Sequence, residues 1–182
     1  MMTYIVIAIV AIVAVFLLIA AMQPADFRVE RSATIAAPSG VVFPHVNELP
    51  RWEAWSPWAK MDPNAKMTYS GPASGVGASY AWAGNNQVGE GRMTIFENRP
   101  NEMIRIKLEF LKPFKATNTA EFTFKPEGEQ TIVTWGMSGR KNFVMKAMVL
   151  IMGCDKMIGS QFEKGLADLG KVATAAKQEQ TA

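Results

Sequence analysis

The stretch from Met103 to Met137, MIRIKLEF LKPF KATNTAEFTFK PEGEQ TIVTWGM, decides how this 182-residue chain folds. It contains three runs in which apolar and polar residues alternate, and turn residues separate these runs. Alternation with a period of two is typical of a strand with one buried face. Connections of four or five residues join strands that are antiparallel neighbours. The stretch therefore predicts an antiparallel meander with one apolar face.

Further strands are predicted on the N-terminal side of this meander. Alternation and flanking turn residues place a first strand at 27–36 and later ones at 67–70, 77–83 and 88–97. After the first strand, Ser39 is the expected N-cap of a helix that Pro44 keeps short. Three tryptophans follow within Trp52–Trp58. Short helices thus separate the first strand from the others.

The C-terminal part of the chain is predicted to be helical. Phe143–Met152 is apolar except for Lys146. A helix that is apolar on every side still exposes apolar surface to water when only one of its faces is buried. We therefore expect it to cover a cavity mouth, to rest on a bilayer or to be deeply buried.

A longer helix is predicted to follow. Its apolar residues repeat at helical spacing, as in Phe162, Leu166 and Leu169. Gly153 and Gly159 predict a kink, and Ser160–Glu163 matches a capping box. Together with the strands, these helices predict an α+β domain.

Residues 3–23 are predicted to form a transmembrane anchor. Ile5–Met22 carries no charge, and twelve of its eighteen residues are Ile, Val, Leu or Phe. These twelve favour the bilayer by about 4 to 7 kcal/mol, and the length matches the hydrocarbon thickness. A cleaved signal peptide is the alternative, but Met1–Tyr4 has no basic residue and Ala20–Ala25 is a poor cleavage site. We therefore expect a single-pass protein of the cell membrane with a ligand-binding domain at 26–176.

The charges favour some partners over others. Arg28 and Arg31 follow the apolar helix and no basic residue precedes it, so the positive-inside rule leans toward a cytoplasmic domain. The net charge is +3, but both signs are mixed along the chain without a basic run. We therefore predict no nucleic-acid partner. The small excess of positive charge is explained by a surface that lies beside anionic lipid.

Cys154 and His45 are each the single residue of their type. One cysteine forms no intrachain disulfide, and one of each leaves a His/Cys zinc site short of ligands. We predict no metal and no cofactor. A Ser-His-Asp arrangement would depend on His45, which has no nucleophile motif nearby and is expected to be a half-exposed helix residue.

The order of one strand, short helices, antiparallel strands and a long last helix is that of a helix-grip fold. The residues that carry the likeness are Arg28–Ser32, Ile35–Pro38, Trp52–Trp58, Val88–Gly91 with Met93 and Ile95, Thr131–Trp135, Asp155–Gly159 and Phe162–Leu166. In these segments the chain resembles the SRPBCC (START-like, Bet v 1-like) superfamily, and within it the polyketide cyclase/dehydrase and lipid transport group. The resemblance covers 27 to about 172. It implies a curved antiparallel sheet wrapped around the C-terminal helix with an apolar cavity between them, and it implies no shared catalytic set.

The side chains of the predicted inner face agree with a cavity. Twelve methionines are many for this length, and Met145, Met148, Met152 and Met157 lie in the last helical region, where methionine suits irregular apolar ligands. Plain core packing is the alternative for each aromatic residue. We predict that the cavity is lined by Trp55, Tyr80, Trp82, Met93, Ile106, Phe110, Asn118, Phe122, Trp135, Met148, Met152 and Phe162.

Small and polar residues refine this prediction. Ala116, Ala120 and Gly136 are expected to face inward and leave space. Asn118 is the uncharged polar side chain expected among apolar neighbours, where its amide needs a partner from the backbone or a ligand. Glu90 and Glu109 are acid/base candidates only if burial raises their pKa values, and solvated strand positions are the simpler interpretation.

These observations favour a membrane-anchored protein that binds or transports a lipid or another apolar small molecule in an internal cavity. The alternative is a polyketide cyclase or aromatase-like enzyme that uses the same cavity and acts by orientation and desolvation. A third hypothesis is a co-chaperone-like interaction module, which predicts a collapsed cavity. Whether the chain is an enzyme is left open by the sequence.

Overall fold

The computed structural model describes residues 2–152 and 154–181, and the side chains at 151, 152, 154, 157, 180 and 181 lie outside this description. The helices are α1 (Met2–Met22), α2 (Ser39–Asn47), α3 (Trp52–Trp55), α4 (Phe143–Met152) and α5 (Cys154–Thr181). The strands are β1 (Asp26–Ile35), β2 (Lys66–Ser70), β3 (Ser79–Ala83), β4 (Glu90–Arg99), β5 (Met103–Lys112), β6 (Ala116–Glu127) and β7 (Gln130–Arg140). Short 3-10 turns occur at Leu49–Arg51 and Trp58–Lys60.

All seven strands form one antiparallel sheet in the order β1-β7-β6-β5-β4-β3-β2. The meander predicted from the alternating pattern is confirmed. β1 pairs with β7, the last strand, in a register that places Val29 opposite Met137 and Ile35 opposite Thr131. This pairing brings the start of the domain next to the strand that leads into α4 and α5.

The long helix α5 packs on the inner face of the sheet, as a helix-grip fold requires. Phe162, Leu166 and Leu169 are each at most 1% exposed. The Phe162 ring stacks on Trp135 of β7 with centroids 4.3 Å apart and planes 13° apart. Gly165 permits this approach because a Cβ at that position would lie 2.6 Å from Cζ3 of Trp135.

An arginine on β1 holds the first turns of α5. Arg31 Nε donates to Glu163 Oε1 at 2.6 Å, and its Nη2 donates to Asp155 Oδ2 at 2.7 Å. These bonds raise the pKa of Arg31 and lower the pKa of Asp155. The guanidinium lies against Gly159, where a Cβ would overlap it.

This contact explains why the capping box predicted for α5 is wrong. The helix begins at Cys154 and runs without interruption through 160–163, so these residues do not form a capping box. Glu163 instead bonds to Arg31 across the interface. Gly159 lies inside a continuous helix and serves the packing of Arg31, while Gly153 lies outside the described residues.

Helix α2 differs from its prediction at two residues. Pro38 occupies the N-cap position and Ser39 is the first helical residue, with no side-chain cap. His45 is 6% exposed, so the expectation of a half-exposed residue is wrong. Its backbone carbonyl accepts a hydrogen bond from Trp55 Nε1 at 2.9 Å, which holds α2 against the tryptophan cluster. Burial lowers the pKa of the His45 imidazole because it disfavours the charged form.

Helix α1 is long and apolar enough to cross a membrane, a property that a signal sequence near an N-terminus shares. Most of its side chains are exposed, whereas Ala20 is fully buried. The C-terminal end of α1 contacts α4, where Lys146 Nζ donates to the carbonyl oxygen of Ala21 at 3.3 Å.

The contact between α5 and the sheet generates a stability prediction. We expect Phe162→Ala to lower the free energy of unfolding by about 3–5 kcal/mol, because it removes a fully buried ring and leaves a hole beside Trp135. Denaturant unfolding of the full chain in detergent micelles, followed by tryptophan fluorescence, measures this change. Phe96→Ala is the matched control, since Phe96 is 48% exposed on β4 and its loss should cost less than about 1 kcal/mol. Equal losses in the two variants would contradict this account of the core.

Candidate ligand-binding cavity

A cavity of about 370 Å³ lies between the inner face of the sheet and helices α4 and α5. Ligand pockets in proteins typically measure roughly 300–1,000 Å³. Its lining is mainly aromatic and aliphatic, with a few polar side chains. Strands β2 to β7 supply one wall, and Met145, Met148 and Val149 of α4 with Ile158 and Phe162 of α5 supply the other.

The structure brings most of the predicted lining residues together. Those that line the cavity are Tyr80, Trp82, Met93, Ile106, Phe110, Asn118, Trp135, Met148 and Phe162. The position of the Met152 side chain lies outside the described residues. That these side chains contact a ligand remains a prediction.

Trp55 and Phe122 are placed behind the lining instead of in it. Both are 0% exposed, and both pack on Trp135, with ring centroids 5.5 Å and 4.8 Å from it. Both also pack on Trp52, which lines the cavity as Trp135 does. Trp58 was not predicted, but it lines the cavity and packs edge-on against Trp135 at 5.5 Å. Alternation identifies the inner face but not the depth at which an aromatic residue sits.

Small residues keep the cavity open. Ala116 and Ala120 of β6 line it, as expected for inward-facing positions. Gly136 does not, because a Cβ there would meet Arg28 and Glu30 on the outer face. The inward-facing glycine of β7 is Gly139. The Asn118 carboxamide of the neighbouring strand β6 packs against it.

Trp82 forms one side of the cavity, where its ring packs closely on the backbone of the neighbouring strand. Its Nε1 donates to the carbonyl oxygen of Val88 at 3.0 Å, and its ring meets Phe110 edge-on at 5.9 Å. The ring lies over Gly91 on the neighbouring strand, where a Cβ would overlap it. A larger residue at 91 would therefore displace this wall.

The sequence analysis predicted the mouth of the cavity only in part, because it considered Phe143–Met152 as a cover for the mouth but did not consider the turn after β5. The mouth is formed by the turn after β5 and by the start of α4, and it includes Lys112, Pro113, Phe114 and Asn142. In or next to these two segments, five apolar residues are 41–53% exposed: Leu111, Phe114, Phe143, Val144 and Met148. The available signal for this turn was the presence of Leu111 and Phe114 within LKPFK at 111–115, since hairpin turns are normally polar.

Asn118 is the polar group that stands out inside the cavity. Its side chain is 4% exposed. Among the described residues, Oδ1 has no hydrogen-bond partner, and Nδ2 has a weak contact with Met137 Sδ at 3.9 Å. A buried amide without partners is costly, so such a group normally has a partner in water or a ligand.

The other titratable candidates are engaged elsewhere. Glu90 bonds to Lys112 Nζ at 2.7 Å, and Glu109 bonds to Arg92 and Lys107 at 3.1 and 2.8 Å. These cations lower the pKa of Glu109, which is opposite to the rise that a general acid needs. Burial raises the pKa of the Tyr80 hydroxyl because it disfavours the charged form. Within the described part of the chain, no group of three or more His, Cys, Asp or Glu residues is arranged to hold a metal ion.

Comparison with known proteins gives a family and a set of similar folds. The family model described as polyketide cyclase / dehydrase and lipid transport matches residues 26–174. No curated protein matches the chain. Among solved structures, the di-domain ARO/CYC StfQ from the steffimycin biosynthetic pathway has a TM-score of 0.61 at 13% identity, covering 86% of this chain and 52% of that one.

Two single-domain structures show the same fold. A protein from Thermus thermophilus has a TM-score of 0.59 at 18% identity, with 82% of this chain and 99% of that one covered. A protein from Chromobacterium violaceum has a TM-score of 0.58 at 13% identity, with 83% and 98% covered. At these identities the likeness shows the fold alone.

The packing of Asn118 generates a prediction for Gly139. We expect Gly139→Ala to destabilise the domain by about 1–3 kcal/mol, because the new methyl group would overlap the Asn118 carboxamide and force it or the strand to move. Thermal or denaturant unfolding measures this. Gly40→Ala is the control, since nothing lies within 4 Å of a Cβ there, and its stability should stay equal or rise by up to about 1 kcal/mol. An unchanged stability of Gly139→Ala would show that the amide is not packed as described.

Proposed function

Because the chain belongs to the polyketide cyclase / dehydrase and lipid transport family, we propose that residues 26–176 hold a lipid or another apolar small molecule and that α1 anchors this domain to a membrane. The observation that carries the proposal is the cavity of about 370 Å³ with its aromatic and methionine lining. Such a volume would be filled by side chains in an ordinary core. Its lining suits a ligand held by dispersion and desolvation.

The position of the mouth supports a membrane source for the ligand. Helix α4 borders the mouth and contacts the C-terminal end of α1 through Lys146. The exposed apolar residues of the rim therefore lie on the side of the domain that α1 would bring to the bilayer. Lys112, Lys115 and Lys141 are near them in the chain, and lysines at such a rim are attracted to anionic headgroups. The positive-inside count at Arg28 and Arg31 favours the cytoplasmic side.

A cyclase or aromatase-like enzyme is the second candidate, favoured by the likeness of the fold to StfQ. Such an enzyme could act by holding a reactive chain in one geometry. The binding role has more support, because Glu90 and Glu109, the carboxylates considered for acid/base work, are held in ion pairs with lysine and arginine. Turnover of a polyketide chain that survives replacement of Asn118 would count against a catalytic role for this residue.

The first test fills the cavity. We expect native mass spectrometry of the full chain, released gently from detergent, to show a co-purified apolar molecule. Ala120→Phe should lower the occupied fraction about tenfold, because Ala120 is 6% exposed and a ring placed there takes up ligand space.

The matched control for this test is Thr117→Phe. Thr117 lies on the same strand, is exposed, and faces away from the cavity. Its replacement should leave the occupied fraction unchanged. A wild-type chain that carries nothing from any lipid mixture, or an Ala120→Phe variant that is as occupied as the wild type, would overturn the proposal.

The second test concerns α1. We expect the intact chain to stay with the membrane pellet after alkaline carbonate extraction and to keep its N-terminus. Val13→Lys places a charge at the helix centre at a cost of roughly 3 kcal/mol and should reduce the retained fraction. Tyr4→Lys at the helix end is the control, since a lysine there reaches the interface. A shortened chain in the soluble fraction would identify α1 as a cleaved signal sequence.

A further inference from the structure

Asn118 occupies a defined place along the cavity. It lies two residues from the start of β6, close to the turn that forms part of the mouth. Four residues further along β6, roughly 13 Å at the rise of a strand, Phe122 lies behind the aromatic end of the cavity. A ligand polar group beside Asn118 would therefore leave the ligand's apolar part to extend toward Trp135 and Phe162.

The carboxamide is suited to a group that both donates and accepts. Its Oδ1 accepts no hydrogen bond and its Nδ2 has the Met137 sulfur alone, among the residues that the structure describes. Trp135 Nε1 is also without a partner there, but an indole N–H only donates, and its ring is held between Phe122 and Phe162. Of these two buried lining groups, Asn118 is thus the one that can both donate and accept a hydrogen bond.

The surroundings of Asn118 disfavour an anionic group. Lys112 is the one charged residue in the described lining, and its Nζ is bound to Glu90 at 2.7 Å with its side chain 67% exposed. A carboxylate next to Asn118 would be buried without a cation, which is strongly unfavourable. An uncharged hydroxyl or carbonyl group meets no such cost.

We propose that Asn118 hydrogen-bonds a single uncharged hydroxyl or carbonyl group of a ligand that is otherwise hydrocarbon. This inference rests on the proposed binding function and narrows its ligand class. A pure hydrocarbon would displace water from the Asn118 amide without replacing the hydrogen bonds that the water made. The site therefore binds a hydrocarbon more weakly. Roughly tenfold discrimination is expected for one unpaired buried group.

The test compares three probes of one chain length. The full chain in lipid nanodiscs is equilibrated with 1-decanol, decane and decanoate, and the amount retained above protein-free nanodiscs is measured by gas chromatography. We expect the retained ratio of decanol to decane to exceed that of empty nanodiscs about tenfold, and decanoate to be retained no better than decane. Asn118→Leu should bring the alcohol-to-alkane ratio back to that of empty nanodiscs while decane is still retained.

Asn86→Leu is the matched control, because it makes the same asparagine-to-leucine change at an exposed turn residue outside the cavity lining. This variant should keep the wild-type ratio. The wild-type measurement does not depend on whether a variant folds. Near-ultraviolet circular dichroism checks that the Asn118→Leu variant is folded. A wild-type ratio equal to that of empty nanodiscs, or a ratio unchanged in Asn118→Leu, would overturn the inference and leave the proposed function standing. Retention of none of the probes would overturn both.

Discussion

The stacking of Trp135 between Phe122 and Phe162 sets the separation between the sheet and α5, and the rest of the domain depends on it. Phe122 supports the Trp135 ring from β6 at 4.8 Å, and Phe162 covers it from the helix at 4.3 Å. Toward α2 the space beyond this stack is filled by fully buried aliphatic residues such as Val133 and Leu169. Toward α4 the small residues Ala116 and Ala120 leave it open. One aromatic column thus separates a solid core from a hollow end.

Different forces act at the Arg31 contact and at the cavity mouth. The Arg31 bonds to Asp155 and Glu163 tie the first turns of α5 to β1 by charge-assisted hydrogen bonds, although these side chains are partly exposed and contribute modestly to stability. The rim around the mouth is formed by exposed apolar side chains such as Phe114 and Val144. In the proposed function this rim is covered by lipid, which would remove the unfavourable contact of its apolar surface with water.

Much of the fold could be predicted because its signals are local. Alternation in β5 to β7 and helical spacing in α5 identified each element and its inner face. The inward placement of Gly136 was an error against the pattern itself, because an inward Trp135 puts Gly136 on the outer face. The other failures required knowledge of neighbours in space. Ser160–Glu163 resembles a helix start only until Arg31 is seen to bind Glu163. Phe122 lies on the inner face of the sheet and Trp55 on α3, and both pack on Trp135 without lining the cavity themselves.

The connection between α1 and β1 has a kinetic consequence. Only Gln23, Pro24 and Ala25 separate the two elements, and three residues extend at most about 10 Å. With α1 in a bilayer, as proposed, this short linker holds the domain next to the membrane. The domain then cannot carry a ligand from one compartment to another. It would meet its ligand by lateral diffusion within the membrane. The rate of ligand binding would therefore depend on the fluidity of the adjacent leaflet and on the ligand concentration in it. Delivery would then require a second protein to come to it.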